Sequence, residues 1–260
     1  MNIIESIEEN FSATGRYWGS FNSSFTKTKV IFAMSTGIPT ADLNWVWNAK
    51  PLTMESAGKI ASIKNNYQQL DLPFWWWVYP CGQSPLTKTM LEGAGFHFLT
   101  AIPCLAVDLS MPTVETGGSS AITLSLVKNH KDLSRWEEVS FTGFDIGTPA
   151  QTQYHNFVAS FDISAAAPQR LFLAYFEEKP VATALLFLYK DTAGIYFVST
   201  LPAYRRRGIG ITLTQATMQY ARLAGYKYSI LQSSAAGLRV YKQAGFKEHC
   251  RADVYSLETS

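Results

Sequence analysis

Three arginines run into a glycine pair at Arg205-Arg206-Arg207-Gly208-Ile209-Gly210, and these residue types in this order suit the holding of an anion. A strand precedes them: Ile195 to Thr200 is a run of β-branched and aromatic residues, ended by Pro202, which has no N–H for a ladder. A helix follows. Ile209, Leu213, Ala216, Tyr220 and Ala224 recur at helical spacing, and Gly225 supplies a stop. A helix start gathers unpaired N–H groups and the positive end of a dipole at one point. Gly208 and Gly210 lack a Cβ and let a diphosphate come close to the backbone. Arg205, Arg206 and Arg207 add charge beside it. Two phosphate loops are excluded. The dinucleotide fingerprint needs a third glycine, where Leu213 stands, and an acid further on, where Ser229 and Ile230 stand. The nucleoside-triphosphate loop needs Gly-Lys-Ser/Thr, and Ile211 follows Gly210.

Further along, the chain reads Leu231-Gln232-Ser233-Ser234 and then Val240-Tyr241-Lys242-Gln243-Ala244-Gly245-Phe246. Together the two stretches resemble the GNAT superfamily of N-acyltransferases. Arg205-x-x-Gly208-x-Gly210 after a strand matches its acyl-CoA loop, and a strand, a helix and Tyr241-x-x-x-Gly245-Phe246 match its later motif. The resemblance implies acetyl-CoA as acyl donor and no metal. Its diphosphate would sit on the N–H groups of Arg206, Arg207, Gly208, Ile209, Gly210 and Ile211, beside Arg205. Pantetheine and the acyl oxygen would lie along Val198, Ser199 and Thr200, on a strand that parts from its neighbour. Tyr241 would face the sulfur as general acid, a role open to a phenol that stays protonated at neutral pH. Ser234 stands where many members have an asparagine that touches pantetheine. Without the resemblance, Val198 to Thr200 also read as a buried strand and Tyr241 as a core tyrosine. Many members carry a glutamate on the central strand as base, but Gly194 to Thr200 holds no carboxylate. Asp145, His155, Tyr196 and Glu177 are alternatives from neighbouring segments, and no base is assigned.

The elements that must position these residues follow from periodicity and turn residues. After a polar Pro/Gly segment at 110–120, the chain predicts a strand at 122–127, helices at 131–140 and 149–160, and a hairpin of 170–176 with 181–189. The central strand 194–200, the phosphate helix, strand 227–232, helix 235–244 and strand 247–257 complete the order β-α-α-β-β-β-α-β-α-β, which is the GNAT order. Before the segment the pattern predicts helix 2–18, strands 29–34 and 44–47, helix 54–70, an aromatic strand 73–79, helix 84–91 and strand 101–109. Gly95-Phe96 and the strand after it echo Gly245-Phe246. Where the second half has its arginines and glycines, the first has Lys50-Pro51-Leu52-Thr53-Met54-Glu55, which cannot cradle a diphosphate. The first half reads as a truncated, degenerate GNAT-like domain, with an unrelated α/β cap as the alternative. The division expected is 1–110, a linker 111–120, and a catalytic domain 121–260.

Composition narrows the class. With 47% hydrophobic and 16% charged residues, the 260-residue chain can build ample cores. A net charge of +2 argues against a dedicated nucleic-acid binder. The charge is uneven: 7 Lys/Arg stand against 9 Asp/Glu before residue 116, and 15 against 11 after it. Cys81, Cys104 and Cys250 show no metal-ligand spacing, nor do His97, His130, His155 and His249. The acidic start and the lack of long apolar runs predict a soluble cytoplasmic protein with no membrane partner. Alternation puts Trp75 and Trp77 on one face of a strand and Trp76 on the other, filling the sheet of the first half. The expectation is an α/β protein whose second half is a GNAT fold, a central mixed sheet flanked by helices. Its reaction would be acetyl transfer from acetyl-CoA to a primary amine of a small molecule or peptide. A non-catalytic acyl-CoA sensor or pseudoenzyme is the alternative, and an RNA-associated protein using the arginine run a third reading.

Overall fold

The structure is a computed structural model and describes residues 2–22, 24–111 and 121–257. In chain order the regular elements are α1 (Ile3–Gly19), β1 (Thr26–Lys27), β2 (Ile31–Met34), β3 (Trp45–Asn48), α2 (Ala57–Gln69), β4 (Trp75–Val78), α3 (Pro85–Gly93) and β5 (Phe96–Asp108). They continue as β6 (Ile122–Leu126), α4 (His130–Gly143), α5 (Gln151–Ala159), β7 (Gln169–Phe176), β8 (Lys179–Tyr189), β9 (Thr192–Thr200), α6 (Ile209–Leu223), β10 (Tyr228–Gln232), α7 (Leu238–Gln243) and β11 (Lys247–Leu257). Capping chemistry sets several boundaries. Asn129 accepts from the Asp132 N–H to start α4, and Ser84 accepts from the Thr87 N–H with Pro85 at the first helical position of α3.

The chain forms two compact units that interleave along the sequence. One comprises Met1–Phe11 and Cys104–His249, the other Ser12–Pro103 and Cys250–Ser260. This differs from a cut between halves. Near its N-terminus, Asn10 is buried and donates Nδ2 to the Thr192 hydroxyl at 2.9 Å, while the Tyr196 hydroxyl donates to its Oδ1 at 3.0 Å. Glu9 pairs with Lys190 at 2.7 Å. The first residues of α1 therefore belong with β9. Of the expected linker 111–120, all but Met111 lies outside the described residues.

In the first unit the strands run in the order β6-β7-β8-β9-β10-β5. β6 to β9 form an antiparallel meander, β9 and β10 are parallel, and the end of β5 lies antiparallel to β10, from Tyr228 opposite Asp108 to Gln232 opposite Cys104. Ala182, Ala184 and Leu186 of β8 join Ala193, Ile195, Leu231 and the α6 residues Leu213, Met218 and Ala221 in one core. The alternate β8 residues face the other way, where the Trp136 indole of α4 donates to the Ala184 carbonyl.

The second unit holds β1-β2-β3-β4 and the end of β11. β3 and β4 are parallel and β11 lies antiparallel to β4. A parallel pair flanked by an antiparallel strand is also the arrangement of β9, β10 and β5, so the two units repeat one plan. Each takes its flanking strand from the opposite part of the sequence. Trp76 is fully buried in the core with Ile60, Leu91 and Phe96, while Trp75 and Trp77 share the other face, 5.9 Å between rings. The short strand β1 carries no periodic signal, and β5 begins at Phe96 rather than at residue 101. α7 starts late because the Ser234 carbonyl draws the Gly237 N–H into a turn at 3.1 Å.

Asn10→Leu leaves the Tyr196 hydroxyl without its acceptor inside the unit. It should lower stability by roughly 1–3 kcal/mol, read as a fall in the denaturation midpoint; an unchanged midpoint would contradict the bridging role.

Candidate active site

Parallel pairing between β9 and β10 covers three positions, Tyr228 opposite Thr192, Ser229 opposite Ala193 and Ile230 opposite Gly194. β9 then runs on to Thr200 and β10 to Gln232, so the two strands part after Gly194 and Ile230. Along its other edge β9 carries a bulge. Thr183 stands opposite Ser199 but Leu185 opposite Tyr196, which gives β9 one residue more than β8. The extra residue forces Phe197 to φ +50°, a conformation a bulky side chain rarely adopts. Local contacts hold it there. The Thr183 hydroxyl donates to the Phe197 carbonyl at 3.0 Å, and that hydroxyl in turn accepts from Ser199 Oγ at 2.8 Å. The Phe197 ring packs among Trp136, Phe144, Phe157 and Phe161. Gly143 is small for the same reason, since a Cβ there would come 2.6 Å from Ser199 Oγ.

The bulged strand leads into the arginine loop. Arg206 adopts φ +62° and Gly208 φ +78°, which turns the chain into α6 with Gly208 as N-cap and no side-chain cap. The N–H groups of Ile209, Gly210 and Ile211 open the first turn, and a helix cannot satisfy them itself. A Cβ built on Gly208 or on Gly210 would meet nothing within 4 Å, so packing does not account for the second glycine. At the matching place in the other unit, Thr53 and Ser56 form a capping box on the short 3-10 turn Met54–Ser56 that leads into α2. That unit's parallel strands pair from Trp45 opposite Trp75 to Trp47 opposite Trp77 and end one residue later, whereas β9 runs on for six residues past its last pair.

The arginines divide their work. Arg205 donates Nε to the Thr200 carbonyl and Nη2 to the Gly143 carbonyl, each at 3.0 Å, which ties the loop to β9 and to the end of α4. Its side chain is a brace, and Thr200 has its carbonyl engaged. Arg207 lies over the rings of Phe176 and Tyr204 at 5.3 and 5.5 Å. Arg206 is exposed. Val198 is half-buried at the parting and Ser199 is buried.

Tyr241 packs its ring against Gly237, where a Cβ would come 2.8 Å from Cε2, and lies edge-on to Phe246 at 6.0 Å. Burial pushes its hydroxyl up to about 12, so the phenol is neutral at ordinary pH. The Ser234 hydroxyl accepts from the Gly237 N–H at 3.2 Å, which makes it the cap of the turn before α7. Among the alternative bases, Tyr196 donates to Asn10, and His155 pairs with Glu137 at 3.0 Å on an exposed surface. Glu177 sits in the β7–β8 turn at φ +49° and Asp145 after α4 at φ +56°, both exposed. Of the four only Tyr196 lies on β9, and none lies on β10. Asn10, Thr183, Gly143 and Phe197 were not singled out by the sequence. A polar residue between Ile7 and Phe11 on the apolar face of α1 is the one signal that marks Asn10.

A bulged strand parting from a parallel neighbour, followed by an uncapped helix start, opens the sheet of this α/β unit beside unpaired N–H groups. The sequence profile of the acetyltransferase (GNAT) family matches residues 131–246. No curated protein matches the chain. Among solved structures it is similar to a GCN5-related N-acetyltransferase from Kribbella flavida, with 16% identity, 96% of each chain covered and a TM-score of 0.72. It is also similar to a GCN5-related N-acetyltransferase from Sphaerobacter thermophilus, with 15% identity, 87% and 76% coverage and a TM-score of 0.65. A tandem GNAT protein from the clavulanic acid biosynthesis pathway aligns over 90% of this chain and 82% of its own, with 11% identity and a TM-score of 0.56. These likenesses establish the fold, including a second, degenerate GNAT-like unit. No helix among the described residues is long and apolar enough to cross a membrane, and no group of three or more metal-ligating side chains assembles among them.

Thr183→Val keeps the shape but removes the hydroxyl that bonds the Phe197 carbonyl at the bulge. Chemical denaturation should register a loss of about 1–3 kcal/mol, and wild-type stability would dismiss the hydroxyl as the bulge's support.

Proposed function

We propose that the chain is an N-acetyltransferase that moves an acetyl group from acetyl-CoA to a primary amine of a small molecule or peptide by direct attack in a ternary complex. The observation that carries this is the uncapped start of α6 behind Gly208 and Gly210, set at the end of a strand that has parted from its neighbour. Acetyl-CoA, when bound, supplies a thioester whose carbonyl carbon accepts the amine. The N–H groups from Arg206 to Ile211 would take its diphosphate, with Arg206 as the cation turned to solvent. Arg205 keeps the loop in place through Thr200 and Gly143. Backbone groups of Val198 and Ser199 at the parting are the candidates to hold pantetheine and the acyl oxygen.

Tyr241 is the general acid of this reading. Its hydroxyl has no hydrogen-bond partner among the described residues and stays protonated, so it can give its proton to the departing sulfur. The C–N bond forms as the C–S bond breaks, the sulfur leaves as CoA thiol with the Tyr241 proton, and the nitrogen releases one proton to water, from which the Tyr241 phenolate is reprotonated. A base among the chain's own residues is not needed when the amine is already partly neutral. The absence of a carboxylate on β9 favours a second reading, an acyl-CoA sensor without turnover. Acetyl-CoA should raise the melting temperature under either reading, and release of CoA thiol with a panel of amines separates them.

Two outcomes follow from the geometry. Gly210→Ala removes a glycine from a helix where nothing crowds the new methyl, so it should stabilise the unliganded protein by about 0.5–1 kcal/mol. The same change should weaken acetyl-CoA binding at least tenfold by calorimetry; undiminished binding would move the diphosphate elsewhere. For Tyr241 the folded value lies above the unfolded value of about 10. The stability gained by keeping the phenol neutral is thus whole below pH 10 and lost as pH rises through about 12. The rate should accordingly show no falling limb from Tyr241 between pH 7 and 10, and Tyr241→Phe should slow turnover with acetyl-CoA affinity nearly intact. A falling limb in that range that Tyr241→Phe abolishes, or equal loss of rate and affinity, would refute the assignment.

A further inference from the structure

Beyond the last paired residues, Gly194 and Ile230, the opening between β9 and β10 has two faces. Leu231 points to the α6 side, in one core with Ile195 and Leu213. Alternation puts Ile230 and Gln232 on the opposite face. A Cβ on Gly194, the partner of Ile230, would meet Asn10 Oδ1 and the Tyr196 ring, so that face is the one Asn10 and Tyr196 occupy. Gln232 stands two residues past the last pair, at the lip of the opening. Its Nε2 is buried and has no hydrogen-bond partner among the described residues. Buried amide donors are nearly always bonded, and one left open beside a parted pair of strands is a place for a ligand's oxygen. The Tyr196 hydroxyl nearby is already committed to Asn10.

The charges on the two strands narrow the ligand further. Residues 192–200 and 228–232 include no acidic and no basic side chain. Neither strand offers a carboxylate to pair with an ammonium ion or deprotonate it, or a cation to balance a carboxylate on the acceptor. An acceptor suited to such an opening is neutral apart from its amine and has an amine that gives up its proton easily. An α-amino group beside a carbonyl has a reference value near 8 and is about one-third neutral at pH 7.5, whereas a lysine amine at 10.4 is neutral in only about one molecule in 800.

We propose that Gln232 is an acceptor-binding residue and that the acceptor is an α-amino amide, whose carbonyl oxygen accepts the Gln232 Nε2–H while its amine enters the opening. This rests on reading the domain as an acetyltransferase. Such an amide is the amino end of a peptide or a small aminoacyl amide.

The test compares alaninamide, the tripeptide amide Ala-Ala-Ala-NH2, alanine and isopropylamine on wild type, Gln232→Leu and the near-isosteric Gln232→Glu, which lacks the donor. Both variants should lose at least tenfold in kcat/KM on alaninamide and stay within twofold on isopropylamine. Acetyl-CoA affinity should not change, and N-acetylalaninamide should bind the CoA-loaded variants at least tenfold more weakly. Alanine, with its carboxylate, should be a poor acceptor for wild type. A rate on the tripeptide amide equal to or above that on alaninamide assigns a peptide, and a rate confined to alaninamide assigns the small amide; either supports the proposal. Equal losses on alaninamide and isopropylamine, weakened acetyl-CoA binding, or no change in the variants would overturn it while the acetyltransferase reading stands. Acetyl-CoA binding with no thiol release on any amine would remove both.

Discussion

A set of backbone hydrogen bonds that is not made governs this molecule. β9 and β10 pair for three positions and separate, although the chain continues in strand conformation on both sides. Buried N–H and C=O groups are rarely left unpaired, so a parting inside a sheet persists only where something else defines it. Here the bulge opposite Thr183 and Leu185 turns β9 away, the aromatic rings around Phe197 hold the turned residue, and Arg205 fastens the strand's end to α4. The arginine loop, the start of α6 and the Gln232 carboxamide all take their positions from that parting.

The second unit shows what the same plan becomes without it. Its parallel strands end one residue past their last pair, a capping box of Thr53 and Ser56 closes the 3-10 turn that leads into its helix, and Trp76 fills its core. Two of the local features that would make a diphosphate cradle have been replaced by features that satisfy the backbone internally. One copy of the fold is thus closed on itself while the other keeps its polar groups open. The difference lies in a handful of residues at two turns rather than in topology.

The arginine loop and the later Tyr241 motif were legible because they are local: a strand, a breaker, glycines and a helix appear in consecutive residues. The order of elements after residue 121 was legible for the same reason, since hydrophobic period reports strands and helices one at a time. The bulge was not. It is a matter of register between β8 and β9, and nothing in the run from Ile195 to Thr200 marks Phe197 as the residue at positive φ. Arg205 reads as one cation among three, but only the fold shows it spent on two carbonyls. The role of Asn10 depends on partners far along the chain, beyond the reach of a windowed reading. The same distance hides the division into units, because β5 and β11 look like ordinary terminal strands of consecutive halves.

That crossed use of strands bears on how the polypeptide is made. The unit built around Trp76 needs the end of β11, made after every other strand described, and the unit that carries the arginine loop needs residues from α1, made before them all. Neither unit can therefore finish while the chain is half synthesised. Loss of α1 or of β11 would damage both units, so the closed copy cannot be shed as a spare part and is retained with its neighbour as a single heritable piece.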